Sequence, residues 1–129
     1  MDAIERVLDI NSCDFLVTVD GSGVGRNDAM ISMLARRGEV LVHEIALQPG
    51  SAAIGHFGMV TALAVPGLPD QALAVWLTLA VLALDQLCGR QPRNPVTRRL
   101  ARKVASSVGV AEITLLKEKT TACDWQLIA

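Results

Sequence analysis

The residues best suited to chemistry lie in one short run, Asp20-Gly21-Ser22-Gly23-Val24-Gly25, with Asp28 just beyond it. The run follows an apolar, β-prone stretch, Phe15-Leu16-Val17-Thr18-Val19. Glycines after a buried strand let the backbone approach a ligand and turn its amides outward, while the N-terminus of a following helix favours an anion. On that reading the run is an anion or phosphate loop; on the other it is a tight turn that needs only positive φ. The glycines form neither the G-x-G-x-x-G dinucleotide fingerprint nor a phosphate loop ending in Gly-Lys-Ser or Gly-Lys-Thr. Asp28 also has two readings, as a residue that holds Mg²⁺ or orients a water, or as the N-cap of the next helix.

Other chemistry finds less support. His43 and His56 are read on a strand and in a loop, and neither is taken as a ligand or base. No G-x-S-x-G elbow marks a serine nucleophile. Cys13, Cys88 and Cys123 are far apart, odd in number and without metal-ligand spacing, so they read as buried small hydrophobes in a reducing cytosol. The acid-bearing N-terminus has no signal-peptide run, and the expected location is cytoplasmic. With 12 basic against 13 acidic side chains, two Trp, two Phe and no Tyr, the chain lacks the charge and the rings of a nucleic-acid binder. The stretch Ala72 to Leu84 is short of the roughly 18 residues a membrane span needs and reads as a buried helix, so no membrane partner is expected. At 129 residues, 51% of them apolar, the chain can build a core, and the composition points to a small-molecule or protein partner.

The elements that must position the glycine run alternate between strand and helix. A short amphipathic helix over Asp2 to Ile10 precedes the Phe15–Val19 strand, whose composition is that of a strand covered on both faces. The helix after Asp28 groups Met30, Ile31 and Leu34 on one face and ends at Arg36, Arg37 and Gly38. Val40 to Leu47 reads as one strand, broken by Gln48-Pro49-Gly50; Ser51 to Gly58 is small and glycine-flanked; Met59 to Val65 is a second buried strand. The turn Pro66-Gly67-Leu68-Pro69 leads to Asp70 as the N-cap of a long helix, Gln71 to Leu87, stopped at Gly89. That helix is apolar all round and must be covered by its own domain or by a partner subunit. Arg90 to Pro95 is a linker. Arg98, Arg99, Arg102 and Lys103 then form either a solvated helix face or an anion-facing patch. Two short strands, Val110 to Leu116 and Trp125 to Ile128, end the chain.

Three loops in this order resemble the molybdopterin-binding domain of the molybdopterin molybdenumtransferase group, to which the gephyrin E domain also belongs. The family's Asp-x-x-x-Thr-x-Gly-Gly-x-Ser-x-Gly-x-x-Asp stretch is matched by Asp14, Thr18, Gly21, Gly25 and Asp28. Its Pro-Gly-Lys-Pro turn corresponds to Pro49-Gly50-Ser51-Ala52, and its Gly-Leu-Pro-Gly-Asn-Pro-Val-Ser turn to Gly67-Leu68-Pro69-Asp70-Gln71-Ala72-Leu73-Ala74. The departures are Asp20 for Gly, Gly23 for Ser, Ser51 for Lys, and Asp70, Gln71 and Ala74 for Gly, Asn and Ser. Loss of a lysine and gain of two carboxylates oppose anion binding by the sign of the charge.

The resemblance implies an α/β fold of three layers, a mostly parallel sheet with helices on both faces, followed by a short β-rich tail. It divides the chain into residues 1–90, part of the binding domain, and residues 91–129, a linker and the start of a small β-rich domain, as in a truncated family member. It implies a pterin ligand, molybdopterin or its adenylylated form, with molybdate and Mg²⁺, in a homo-oligomer. Gly21 and Gly25 are placed at the ligand's phosphates, with Thr18 also among the binding residues. Asp28 is placed at the metal or water as the catalytic residue, and Pro49, Gly50, Gly67 and Pro69 form the pocket walls. The alternative is a binding or interaction module that keeps the scaffold without the transferase.

Overall fold

The computed structural model describes residues 3–9, 13–19, 29–91, 93–94, 96–97, 99–118 and 124–127. Its centre is a four-stranded mixed sheet in the order β1-β5-β4-β2, built from β1 (Phe15–Val19), β2 (Glu39–His43), β4 (Ala53–Phe57) and β5 (Val60–Val65). β1 runs parallel to β5, while β4 is antiparallel to both β5 and β2. Gly58 and Met59 close the β4–β5 hairpin, with Gly58 at φ 60°. β5 is the central strand, and all six of its residues are buried.

Period-two alternation sends each strand's side chains to two cores. On one face Leu16, Ala53, Phe57, Val60, Ala62 and Ala64 meet Leu8 of helix α1 (Ala3–Asp9) and Met30, Met33 and Leu34 of helix α2 (Ala29–Arg37). On the other, Phe15, Val17, Ile54, Leu63 and Val65 meet Ala72, Val75, Leu79 and Ala80 of a long helix, α3 (Pro69–Leu87). The result is the expected three-layer α/β arrangement, helices on both faces of the sheet. Glu5 of α1 lies 3.8 Å from Arg36 and 3.7 Å from Arg37, so the two helices of the first face are also joined by charge.

Two glycines set how closely α2 and β2 sit over β4. A Cβ on Gly55 would run into the Glu39 carbonyl oxygen and the Leu34 side chain; one on Gly38 would run into the His56 carbonyl. This explains why Ser51–Gly58, to which the sequence reading assigns no element, contains a strand. Ala53, Gly55 and Phe57 are its buried alternate residues, and two of the three are too small to register as an apolar pattern.

The structure corrects other boundaries. The single strand expected over Val40–Leu47 is interrupted at Glu44, whose φ is 59°, and yields β2 and a two-residue β3 (Leu47–Gln48). Asp70 is not the N-cap of α3. Leu68 holds that position, Pro69 is the first helical residue, and Asp70 lies in the first turn. α3 has 19 residues, starting two positions before the expected Gln71 and ending at the expected Leu87, with its middle, Trp76–Ala80, wound as a π turn; the Thr78 hydroxyl donates to the Ala74 carbonyl at 2.7 Å. Its length and composition would suit a membrane span; it packs on the sheet through Ala74, Val75 and Ala80, but only 22% of its apolar 18-residue window is buried and Leu73, Trp76, Leu77, Leu82 and Leu87 are exposed, so it is not the buried helix expected. As expected, it stops at Gly89, at φ 62°.

The basic run is not a helix face. Arg99 and Leu100 form β6, followed by irregular backbone in which Arg102 and Lys103 are exposed. The tail's remaining strands are β7 (Ala111–Glu112), β8 (Leu116–Glu118) and β9 (Asp124–Leu127), so the run expected over Val110–Leu116 is split in two. β9 lies between β6 and β8, and β7 pairs in parallel with β3. Cys88, expected to be buried, is exposed, and Cys13 is half-buried.

Candidate functional site

The carboxyl ends of the parallel pair β1 and β5 fall at one end of the sheet, the place where open α/β sheets bind ligands. Thr18 stands on β1 opposite Ala64 of β5, and Ala64 is in turn opposite Ala53 at the start of β4. Beyond these ends the chain forms two turns. One runs from Gln48 to Ser51; the other, Pro66 to Pro69, leads into α3.

Gly50 brings the two turns together. Its φ is 90°, which only glycine adopts without strain, and an added Cβ would stand 2.7 Å from Gln71 Cβ and 3.3 Å from Pro66 Cγ. Pro49 and Gly50 are half-buried here, and Gly67 and Pro69 are exposed beside them. Gly50 of the first turn therefore lies against Pro66 of the second and Gln71 of α3. β7 adds a third segment: Ala111 N–H donates to the Ala46 carbonyl and Ile113 N–H to the Gln48 carbonyl, both at 2.8 Å.

Two hydroxyls at this end are buried without a hydrogen-bond partner among the described residues, Thr18 Oγ1 and Ser51 Oγ. Such groups are normally paired, and each orphan costs the desolvation of a hydroxyl. Thr18 was expected among the binding residues. Ser51 stands at the Lys position of the family's Pro-Gly-Lys-Pro turn, and that departure is the one signal the sequence offers for it. Gly21, Gly25 and Asp28 lie outside the described residues, as does Asp20.

The charged residues from Gly38 to Gly89 are all acidic. No Lys or Arg occurs between Gly38 and Gly89. Glu44, just after β2, and Asp70, just after the second turn, are exposed, and β7 adds exposed Glu112 opposite Gln48. Asp70 occupies the first turn of α3, where the helix dipole would otherwise favour an external anion. Among the described residues, no three His, Cys, Asp or Glu side chains converge as a metal site. His56 instead pairs with Thr61, Nδ1 to Oγ1 at 3.3 Å, and His43 is exposed at the end of β2.

A second polar cluster lies at the far end of α3. Asp85 is buried and accepts from Arg93 Nε at 2.7 Å and Nη2 at 3.3 Å, with Arg90 at 3.8 Å. The Arg93 hydrogen bond, aided by the charges of Arg93 and Arg90 and opposed by desolvation, holds the Asp85 carboxyl below its ordinary pKa.

No family model matches the sequence, and no curated protein matches it either. Among solved structures, the chain is similar to the crystal structure of the molybdopterin biosynthesis MoeA protein from Pyrococcus horikosii. The identity is 29% and the TM-score 0.57, over 69% of this chain and 22% of that one. The chain thus spans well under two thirds of that protein's length. Likeness in both backbone and sequence gives the chain a MoeA-like α/β fold.

Proposed function

We propose that this chain is a molybdopterin-binding protein of molybdenum cofactor biosynthesis, related to the transferase that inserts molybdate into adenylylated molybdopterin. The observation that carries the reading is the meeting of the 48–51 and 66–69 turns at the carboxyl ends of β1 and β5, beside two unpartnered hydroxyls, in a chain similar to a MoeA protein. Thr18 and Ser51 hydrogen-bond the polar edge of the pterin ligand, and Pro49, Gly50, Gly67 and Pro69 enclose it. Gly21 and Gly25 present backbone amides to its phosphate. Asp28 holds Mg²⁺ or orients water in the step that releases adenylate. The site works in the cytoplasm, on a small molecule rather than on nucleic acid or a membrane.

A second reading, a module that binds the pterin without transferring molybdate, is favoured by the acidic end of the sheet. Asp70 follows the second turn, Glu112 pairs opposite Gln48 of the first, and residues 38–89 offer no cation to a phosphate or to molybdate. Calorimetric titration with molybdopterin and with its adenylylated form, with and without molybdate and Mg²⁺, separates the two when adenylate release is followed in parallel. Binding with release supports the transferase. Binding without release supports the module. No binding at submillimolar ligand removes both.

A further inference from the structure

A strongly charged surface lies away from the turns, in the chain that follows α3. Six of the 12 basic residues, Arg90, Arg93, Arg98, Arg99, Arg102 and Lys103, fall within residues 90–103, and no acid occurs from Gln86 to Ala111. Arg90 and Arg93 share the single buried carboxylate of Asp85, which leaves one positive charge over. Arg99, Arg102 and Lys103 are exposed and have no ion pair among the described residues. Arg98 lies outside the described residues.

The same segment carries an open strand edge. β6 pairs with β9 on one side, and among the described residues nothing pairs on its other side. An unpaired edge presents a row of N–H and C=O groups that a further strand can satisfy. From Ala101 to Val110 the backbone belongs to no helix or strand, so pairing that lengthens β6 displaces no existing element.

We propose that β6 and the exposed cations beside it form a docking edge for an extended acidic segment of another protein. The segment adds to the sheet as a strand beside β6 and sets its carboxylates against Arg99, Arg102 and Lys103. Backbone hydrogen bonds along the edge supply affinity, and the charges select the sequence. Cations on an edge strand repel basic strands and resist unguided pairing, while the same cations admit an acidic one. The occupant is not a segment of this chain, whose acids are never closer than three positions apart and nowhere reach the needed density of charge. Nucleic acid is disfavoured because no Phe, Trp or Tyr occurs from Leu77 to Asp124 to stack on bases. A lipid surface is disfavoured because the run is not a helix with an apolar face to bury. The docking edge does not depend on the proposed function and is tested without pterin.

Fluorescence anisotropy of a labelled peptide of alternating Glu and Val, titrated with the full chain at low salt, should show saturable binding that high salt weakens. The double substitution Arg102→Gln and Lys103→Gln removes two exposed charges that have no partner among the described residues. Circular dichroism should be unchanged, while affinity falls by about two- to thirtyfold. The same peptide N-methylated at every backbone nitrogen keeps its charge and loses the donors a strand needs, so it should bind far more weakly. Amide shifts caused by the unmodified peptide should centre on Arg99, Leu100 and Ala101. No binding at submillimolar protein overturns the proposal, as does a double variant that binds like the wild type. A methylated peptide that binds as tightly as the unmodified one would reduce the surface to unselective charge and overturn it too. So would tighter binding of single-stranded DNA of equal charge, or of phosphatidylserine vesicles.

Discussion

Thr18→Val should make the protein more stable and a poorer binder. The Thr18 hydroxyl oxygen is buried and has no hydrogen-bond partner among the described residues. Leaving such a group unpaired costs about 1–3 kcal/mol relative to solvation in the unfolded chain. Valine puts a methyl of nearly the same size in its place, keeps the β-branch suited to β1 and removes the orphan. The expected gain is about 1 kcal/mol, which in a domain of this size raises Tm by about 3–5 °C. The same hydroxyl is the group proposed to meet the pterin, and loss of one such hydrogen bond costs about 0.5–1.5 kcal/mol, a two- to twelvefold rise in Kd. Thermal melts and calorimetric titration with molybdopterin measure the two effects on one preparation. A variant less stable than the wild type would show that Thr18 is paired in solution. An unchanged Kd in a stabilised variant would show that the hydroxyl faces no ligand.

Other perturbations probe the scaffold. Leu34, 0% exposed between α2 and the sheet, leaves a cavity when cut to Ala, and chemical denaturation should report a loss of about 2–5 kcal/mol. Gly55→Ala forces a methyl against the Glu39 carbonyl and Leu34, so β2 must shift; a loss of about 1–3 kcal/mol is expected, and an unaffected variant would show that this edge strand gives way freely. Asp85, whose carboxyl pKa is depressed chiefly by its Arg93 hydrogen bond, contributes stability that is present above its unfolded value near 3.8 and is lost as pH falls through the lower folded value. Stability in the acid range should therefore fall more steeply for the wild type than for Asp85→Asn, and parallel curves would contradict the pairing.

The fold was legible where apolar pattern and punctuation agreed. Phe15–Val19, the helix ending at Arg37 and Gly38, and the buried strand before Pro66 all lie where residue type places them. β4 was not legible, because its inward residues include Ala53 and Gly55, and what makes it a strand is pairing on both sides rather than its own composition. The N-terminus of α3 misled for a related reason. Asp70 is a good capping residue, but Pro69 fixes the first helical φ one position earlier and moves the cap to Leu68. The basic run suggested a helix face, yet its backbone is drawn into β6 by the distant β9. At the site, the resemblance pointed to Pro49, Gly50, Gly67 and Pro69; the approach of the two turns depends on Gly50 lying against Gln71 and Pro66, which no local pattern encodes. The unpartnered hydroxyl of Ser51 depends on burial, which no local motif encodes.

Amide chemical-shift mapping during a molybdopterin titration is the most direct test of where this protein binds. The account predicts saturable shifts at Thr18, Gly50, Ser51 and Gly67, on both turns and the end of β1. Shifts confined to residues 90–103, or none at saturating ligand, would contradict it.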